Sequence, residues 1–125
     1  MTLTLERTAI TTVRDLMTHA EFQISDDVML DVAIHILHGT GADHLLLRDD
    51  DGRCAGLLTR RQLAPFQAHS RSTARTPVRD IVLDRAPFAT PDMPAATAAV
   101  AMRARGLAVW PVVDHDGHTV GLLAL

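Results

Sequence analysis

Thr59, Arg60 and Arg61 stand together in "GLLTRRQ", residues 56 to 62. Two adjacent guanidinium groups are donors suited to an anionic oxygen. The pair falls at a helix start, where positive charge opposes the helix dipole, so a bound anion would give it a purpose. The competing reading is a solvated surface pair. His35 and His38 lie three apart in a helical pattern and His44 follows, but no third ligand falls at helical spacing. Solvent-facing or capping histidines are expected there, and no metal. "DDDG", residues 49 to 52, lacks the acidic residue that a calcium loop places six positions after its glycine, where Leu58 stands, and reads as a turn. "HGTG", residues 38 to 41, has no strand before it in the dinucleotide-binding arrangement and reads as a helix end. The serines are Ser25, Ser70 and Ser72, none in a nucleophile-elbow sequence, and no close carboxylate pair occurs outside the turns. Lysine is absent, which removes Schiff-base chemistry and the Walker lysine. No catalytic residue is assigned, and the chain is not expected to be an enzyme.

The elements that must position these residues are stated twice. "DDDGRCAGLLT", residues 49 to 59, returns as "DHDGHTVGLLA", residues 114 to 124, and the same constant offset pairs Val13 with Val78, Asp15 with Asp80, Asp27 with Asp92 and Gly41 with Gly106. A gapless match at one register points to two copies of one structural unit. Each copy opens with a short helical turn, "VRD" capped by Thr12 with Asp15 reaching back, and "PVRDIV" with Pro77 in its first turn. Short extended pieces follow, "FQIS" and "FAT". Asp27 and Asp92 are expected to cap the next helices. In the first of these, Met29, Val32, Ala33, Ile36 and Leu37 predict a buried stripe, and in the second Pro94 is tolerated in the first turn. Gly41 and Gly106 end these helices. The apolar runs "HLLLR" and "AVWPVVD" then lead through Asp-Gly turns into "CAGLLT" and "TVGLLAL", two hairpins whose strands are expected to be covered on both faces. "RRQLAPFQAH" adds a short trailing helix to the first copy, interrupted or restarted at Pro65. Trp110 reads as core or dimer face.

These readings give a mixed α+β fold of two strand-helix-strand-strand units. The first spans residues 12–69 with the trailing helix, "SRSTART" (70–76) is the linker, and the second spans 77–125. At 125 residues the two must share one core around an internal pseudo-twofold. Apolar residues make up 47% and charged residues 22%, the balance of a folded soluble protein. The absence of a membrane-length apolar run and of a signal-peptide layout at the N-terminus predicts a cytoplasmic protein. Cys54 is alone, so neither an internal disulfide nor a cysteine zinc cluster is available. With a net charge of -3 and scattered acids, nothing supplies the basic face that nucleic-acid binding needs.

The order and duplication of "TVRDLMT", a helix closed by glycine, "AVWPVVD" with Asp-Gly, and "GLLTRRQL" resemble the tandem cystathionine-beta-synthase (CBS) domain pair, or Bateman module, from Thr12 to Leu125. The resemblance implies two interlocked units that commonly dimerise. It also implies clefts between the repeats that take up an adenine ligand such as AMP, ADP, ATP or S-adenosylmethionine, with no cofactor required. In that family one motif runs from a glycine to a proline and lines the adenine. The other follows Gly with two apolar residues, a hydroxyl residue for phosphate and an Asp for the ribose hydroxyls. Carried onto this chain, the ligand residues are Ala42, Asp43, His44, Thr59, Arg60, Arg61 and Gln62 in the first copy and Leu107, Ala108 and Val109 in the second. The sequence departs from the family at Leu46 in place of Pro, Gln62 in place of the ribose Asp, and Ala124 in place of the hydroxyl. Its end at Leu125 precedes any second ribose Asp or trailing helix, and the apolar surface expected there would be covered by dimerisation or by a longer polypeptide. The implied function is regulatory: a module that senses an adenine nucleotide and modulates a partner protein, with a ligand-free dimerisation or docking module as the alternative.

Overall fold

The computed structural model describes residues 11–19, 22–66, 74–81 and 85–125. The chain forms two compact units, one comprising Glu21–Ala86 and the other Met1–Ala20 with Pro87–Leu125. The elements in chain order are α1 (Val13–Leu16), β1 (Gln23–Ser25), α2 (Leu30–Thr40), β2 (His44–Arg48), β3 (Cys54–Thr59), α3 (Arg60–Leu63), α4 (Ala95–Arg105), β4 (Val109–Val113) and β5 (Thr119–Ala124). Short 3-10 turns occupy Ala64–Phe66 and Val78–Asp80. The turn at Ala64–Phe66 carries Pro65 and continues α3; residues 67–69 of the expected trailing helix and 70–73 of the expected linker lie outside the described residues.

In the continuous unit, β1 pairs parallel with β2 and β2 antiparallel with β3. Leu45 and Leu47 turn to one face with Leu58 and meet Leu30, Ala33, Leu37 and Leu63 in a single core. Leu46 and Leu57, on the alternate face, are buried too, as an unbroken apolar run predicts. Helix α2 buries Leu30, Ala33 and Leu37. Val32, expected in that stripe, is 45% exposed, because the buried face runs through Leu30, Ala33 and Leu37 and position 32 lies about 100° or more around the helix from each of them.

The second hairpin repeats the first down to its irregularities. Both carry a register shift, between Leu47 and Arg48 and between Val112 and Val113. In both turns one carboxylate oxygen, of Asp49 or Asp114, accepts two backbone N-H groups, from Asp51 and Arg53 or from Asp116 and His118, at 2.9 and 3.0 Å. The hairpins expected from Asp-Gly are therefore present, with a loop closed by the preceding Asp and not a two-residue turn.

Asp27 and Asp92 do not cap their helices. The N-cap positions are Met29, in extended conformation, and Pro94. The first helical N-H of α2, on Leu30, donates to the Thr76 carbonyl at 2.8 Å, and that of α4, on Ala95, to the Thr11 carbonyl at 2.9 Å. Backbone from a distant segment does the capping, which leaves the carboxylates outside; Asp92 instead pairs with Arg14 at 3.0 Å.

That capping belongs to a reciprocal exchange. The opening turn of each copy lies in the unit formed by the other copy's helix and hairpin. Val13 N-H donates to Met93 O at 2.9 Å and Arg14 N-H to Pro91 O at 3.0 Å. At equivalent positions Val78 N-H donates to Val28 O and Arg79 N-H to Asp26 O, each at 2.9 Å. Val13 and Val78, the apolar residues of the two turns, are fully buried. Thr12 N-H also donates to the Asp15 carboxylate at 3.0 Å, the capping interaction read from the sequence.

The counterpart of β1 shrinks to one parallel bridge, Ala89 with Val112, where "FAT" predicts a strand. Ala89 N-H donates to Pro111 O at 3.0 Å and Val113 N-H to Ala89 O at 2.8 Å. The next ladder bond would run from residue 111 to the Pro87 carbonyl, and proline has no N-H to give. That carbonyl accepts instead from Trp110 Nε1 at 3.0 Å and from the Arg105 guanidinium at 2.7 Å. Arg105 also lies 5.8 Å from the Trp110 ring centroid. Trp110 is thus core, with its polar edge satisfied.

Candidate functional site

Thr59 ends β3 in extended conformation and is the N-cap of α3. Its hydroxyl oxygen accepts from Gln62 N-H at 3.3 Å, while its own N-H donates to Gln62 Oε1 at 2.9 Å. This reciprocal capping box satisfies two donors that a helix start leaves unpaired. It holds both side chains, and since the Thr59 hydroxyl acts there only as an acceptor, its proton is not used by the box. Its pattern, Thr-x-x-Gln, is readable in the sequence.

The pairing of His44 with Thr59 at the open end of the hairpin sets the Gly41–His44 stretch beside α3. Gly41 makes this stretch possible: at φ 69° it turns the chain out of α2 in the left-handed conformation that a glycine adopts without strain. Arg60 N-H donates to Asp43 O at 3.1 Å. Ala42, Asp43, His44, Thr59, Arg60, Arg61 and Gln62 are thus gathered in one unit.

The two arginines are put to different uses. Arg60 Nε donates to Ala42 O at 2.7 Å and its Nη2 to Leu37 O at 2.8 Å, and Asp43 Oδ1 lies 3.7 Å from Nε. Its guanidinium lies at the C-terminal end of α2, where cations are favoured, and shares the Leu37 carbonyl with the Gly41 N-H, which donates to it at 3.0 Å. Arg61 is exposed and makes no hydrogen bond or ion pair with the described residues. Sequence reasoning had no signal for this division, since adjacent arginines look alike until the chain direction is known.

Leu107, Ala108 and Val109 occupy the matching stretch of the other unit, after Gly106 turns the chain out of α4 at φ 67°. Val109 pairs with Ala124 as His44 pairs with Thr59. Ala124 is exposed and offers no hydroxyl.

Among the described residues, two carboxylates are displaced from the ordinary range. Burial raises that of Asp26, against the lowering effect of Arg79. The His118 backbone N-H lowers that of Asp114. Among the described residues, Asp114, Asp116 and His118 bring ligating atoms within 4.8 Å of one another, although one Asp114 oxygen is already occupied by the turn. No helix among the described residues is long and apolar enough to cross a membrane.

Two units of one design, each completed by the opening turn of the other copy, define a tandem repeat module. Residues 13–68 and 78–125 each match the CBS domain, and the chain belongs to the CBS domain family as a tandem pair. It is 28% identical over 121 residues to a CBS domain-containing protein of Dictyostelium discoideum, covering 89% of this chain and 83% of that one. Among solved structures, the CBS domain pair of protein MJ0100 in complex with 5′-methylthioadenosine and S-adenosylmethionine superposes with a TM-score of 0.75 at 23% identity, covering 92% of this chain and 90% of the other. CBSX2 in complex with AMP gives 0.74 at 22% identity, covering 90% and 89%.

Proposed function

We propose that this CBS pair is a regulatory module, without catalytic activity of its own, that binds an adenine nucleotide through Thr59, Arg61 and the Ala42–His44 stretch and thereby alters its contacts with a partner protein. The observation that carries the reading is the half-buried Thr59, whose hydroxyl proton the capping box leaves unused, two residues before the exposed Arg61: two donors suited to phosphate on the unit that also holds the Ala42–His44 loop. The complexes of MJ0100 and CBSX2 with adenine-containing ligands support this ligand class. Leu107, Ala108 and Val109 are the base-lining residues of the second copy. Arg60 serves this surface by holding Ala42 in place.

A thermal-shift titration with AMP, ADP, ATP and S-adenosylmethionine tests the proposal, because a ligand of the native state raises apparent stability by mass action. A saturable shift for an adenine ligand is expected, and Arg61→Ala should weaken it without lowering the unliganded Tm. No shift at millimolar concentration for any of the four would refute it.

The second reading, a ligand-free dimerisation or docking module, is favoured by Ala124, which leaves the second copy without a hydroxyl, and by Val32 and Val100, which are 45% and 64% exposed on α2 and α4. A homodimer would cover such positions. Sedimentation of the protein without nucleotide separates the two readings: a stable dimer alongside no nucleotide response supports the second.

A further inference from the structure

We propose that the turn over residues 114–118 binds a divalent transition-metal ion of the zinc class through Asp114, Asp116 and His118. The inference is independent of the nucleotide reading, since this turn joins β4 to β5 at the end of the hairpin opposite Val109 and Ala124. Among the described residues this is the one trio of carboxylate and imidazole groups whose ligand atoms all come within 4.8 Å of one another. An ion bonded at about 2.0–2.2 Å holds its ligands no more than about 4.4 Å apart. A small side-chain rotation closes the difference, and Asp116 and His118, 61% and 49% exposed, have the room to make it.

Asp114 is already held in place. Its Oδ1 accepts the Asp116 and His118 N-H groups, while its Oδ2 accepts no hydrogen bond from the described residues and is left for an ion. His118 Nδ1 lies 3.8 Å from Asp114 Oδ1, too far for a hydrogen bond, and a neutral imidazole has a nitrogen lone pair to give. His115 Nε2, 3.5 Å from Asp116 Oδ2, gives that carboxylate an outer partner of the kind that orients metal ligands. Two carboxylates alone would suit magnesium or calcium; the imidazole shifts the preference to zinc and its neighbours.

The first copy supplies an internal control. Its turn has the same backbone bonds, from Asp51 and Arg53 N-H to Asp49 Oδ1. Where the second turn has His118, however, the first has Arg53, and a guanidinium has no lone pair to donate. Arg53 Nη1 lies 3.9 Å from Asp51 Oδ2, so that turn carries its own cation. Residues 114–118 replace the built-in cation by a ligand for one.

Calorimetric titration of the nucleotide-free chain with zinc chloride and, separately, magnesium chloride tests the proposal on the parent protein, Asp116→Asn and His118→Arg. The second substitution gives the turn the residue its first copy carries, so the fold should be kept, as circular dichroism checks. The parent should bind one zinc ion in the micromolar range and magnesium at least about tenfold more weakly. Each substitution should weaken zinc binding by at least about tenfold. In amide NMR spectra, zinc should move the signals of residues 114–118 and leave those of 49–53 in place. A parent that binds no zinc at millimolar concentration overturns the proposal, as does magnesium binding as tight as zinc. Zinc binding retained unweakened by both variants also overturns it, since the ion then sits elsewhere.

Discussion

At the end of β3 the first copy carries Thr59, an arginine bonded to the end of α2 and a second arginine facing solvent; at the end of β5 the second copy carries exposed Ala124. The loops opposite differ in the same sense, with Ala42, Asp43 and His44 on one side and Leu107, Ala108 and Val109 on the other. Yet the hairpins bulge at the same place, the turns use the same carboxylate and the helices end in the same left-handed glycine. Shared structure resides in the backbone pairings and chemical difference in the side chains at the open ends of the hairpins. A fold can thus be duplicated while the two copies carry different side chains at the open ends of their hairpins.

The comparison can be broken most severely at Gly121. A Cβ there would lie 2.7 Å from the Thr18 carbonyl oxygen and 2.9 Å from Met17 Sδ. The carbonyl is fixed, since Thr18 and Leu122 exchange two backbone hydrogen bonds of 2.9 Å. Gly121→Ala should therefore destabilise the protein by about 2–3 kcal/mol in urea unfolding, through overpacking against backbone. A loss below about 0.5 kcal/mol would mean that the segment is not seated as described.

A smaller effect separates the neighbouring arginines. Arg60→Ala removes two charged hydrogen bonds to carbonyls at the end of α2 and should cost about 1–2 kcal/mol. Arg61→Ala should change stability by less than about 0.5 kcal/mol while weakening nucleotide binding. Equal destabilisation by both would erase the distinction between an arginine engaged with backbone carbonyls and an exposed one.

The smallest effects are in pH dependence, and the two units differ in sign. The raised carboxyl of Asp26 binds its proton more tightly folded than unfolded, so its contribution favours folding on the acid side and is lost as pH rises from 3.8 through the folded value. Asp114 is lowered, so its contribution is present above 3.8 and is lost as pH falls toward the folded value. Urea unfolding across the acid range should show Asp26→Asn abolishing a gain on acidification and Asp114→Asn abolishing a loss. Identical slopes in the two variants would contradict the assignment.

The strands "HLLLR" and "CAGLLT" were legible to the residue, because an unbroken apolar run bounded by glycine and charge leaves few alternatives. The Thr59 site was legible as a motif, and the Thr-x-x-Gln box accounts for its geometry. The caps of α2 and α4 were not, since carbonyls of Thr76 and Thr11 do that work and a carbonyl leaves no trace in residue type. The same holds for Arg60, whose partners are all main-chain oxygens or a flexible exposed acid. The loss of the strand at Ala89 was written in Pro111, but only the pairing direction reveals which bond the proline withholds.

The reciprocal exchange also imposes an order in time. A chain made from its N-terminus emerges with Val13 early, yet the Met93 and Pro91 carbonyls that accept from Val13 and Arg14 come much later. The Glu21–Ala86 unit, by contrast, holds its partners within one continuous stretch and can close as soon as the Val78 turn is available. The α1 turn is therefore synthesised before its seat, with the buried side of Val13 without its partners until the second copy arrives.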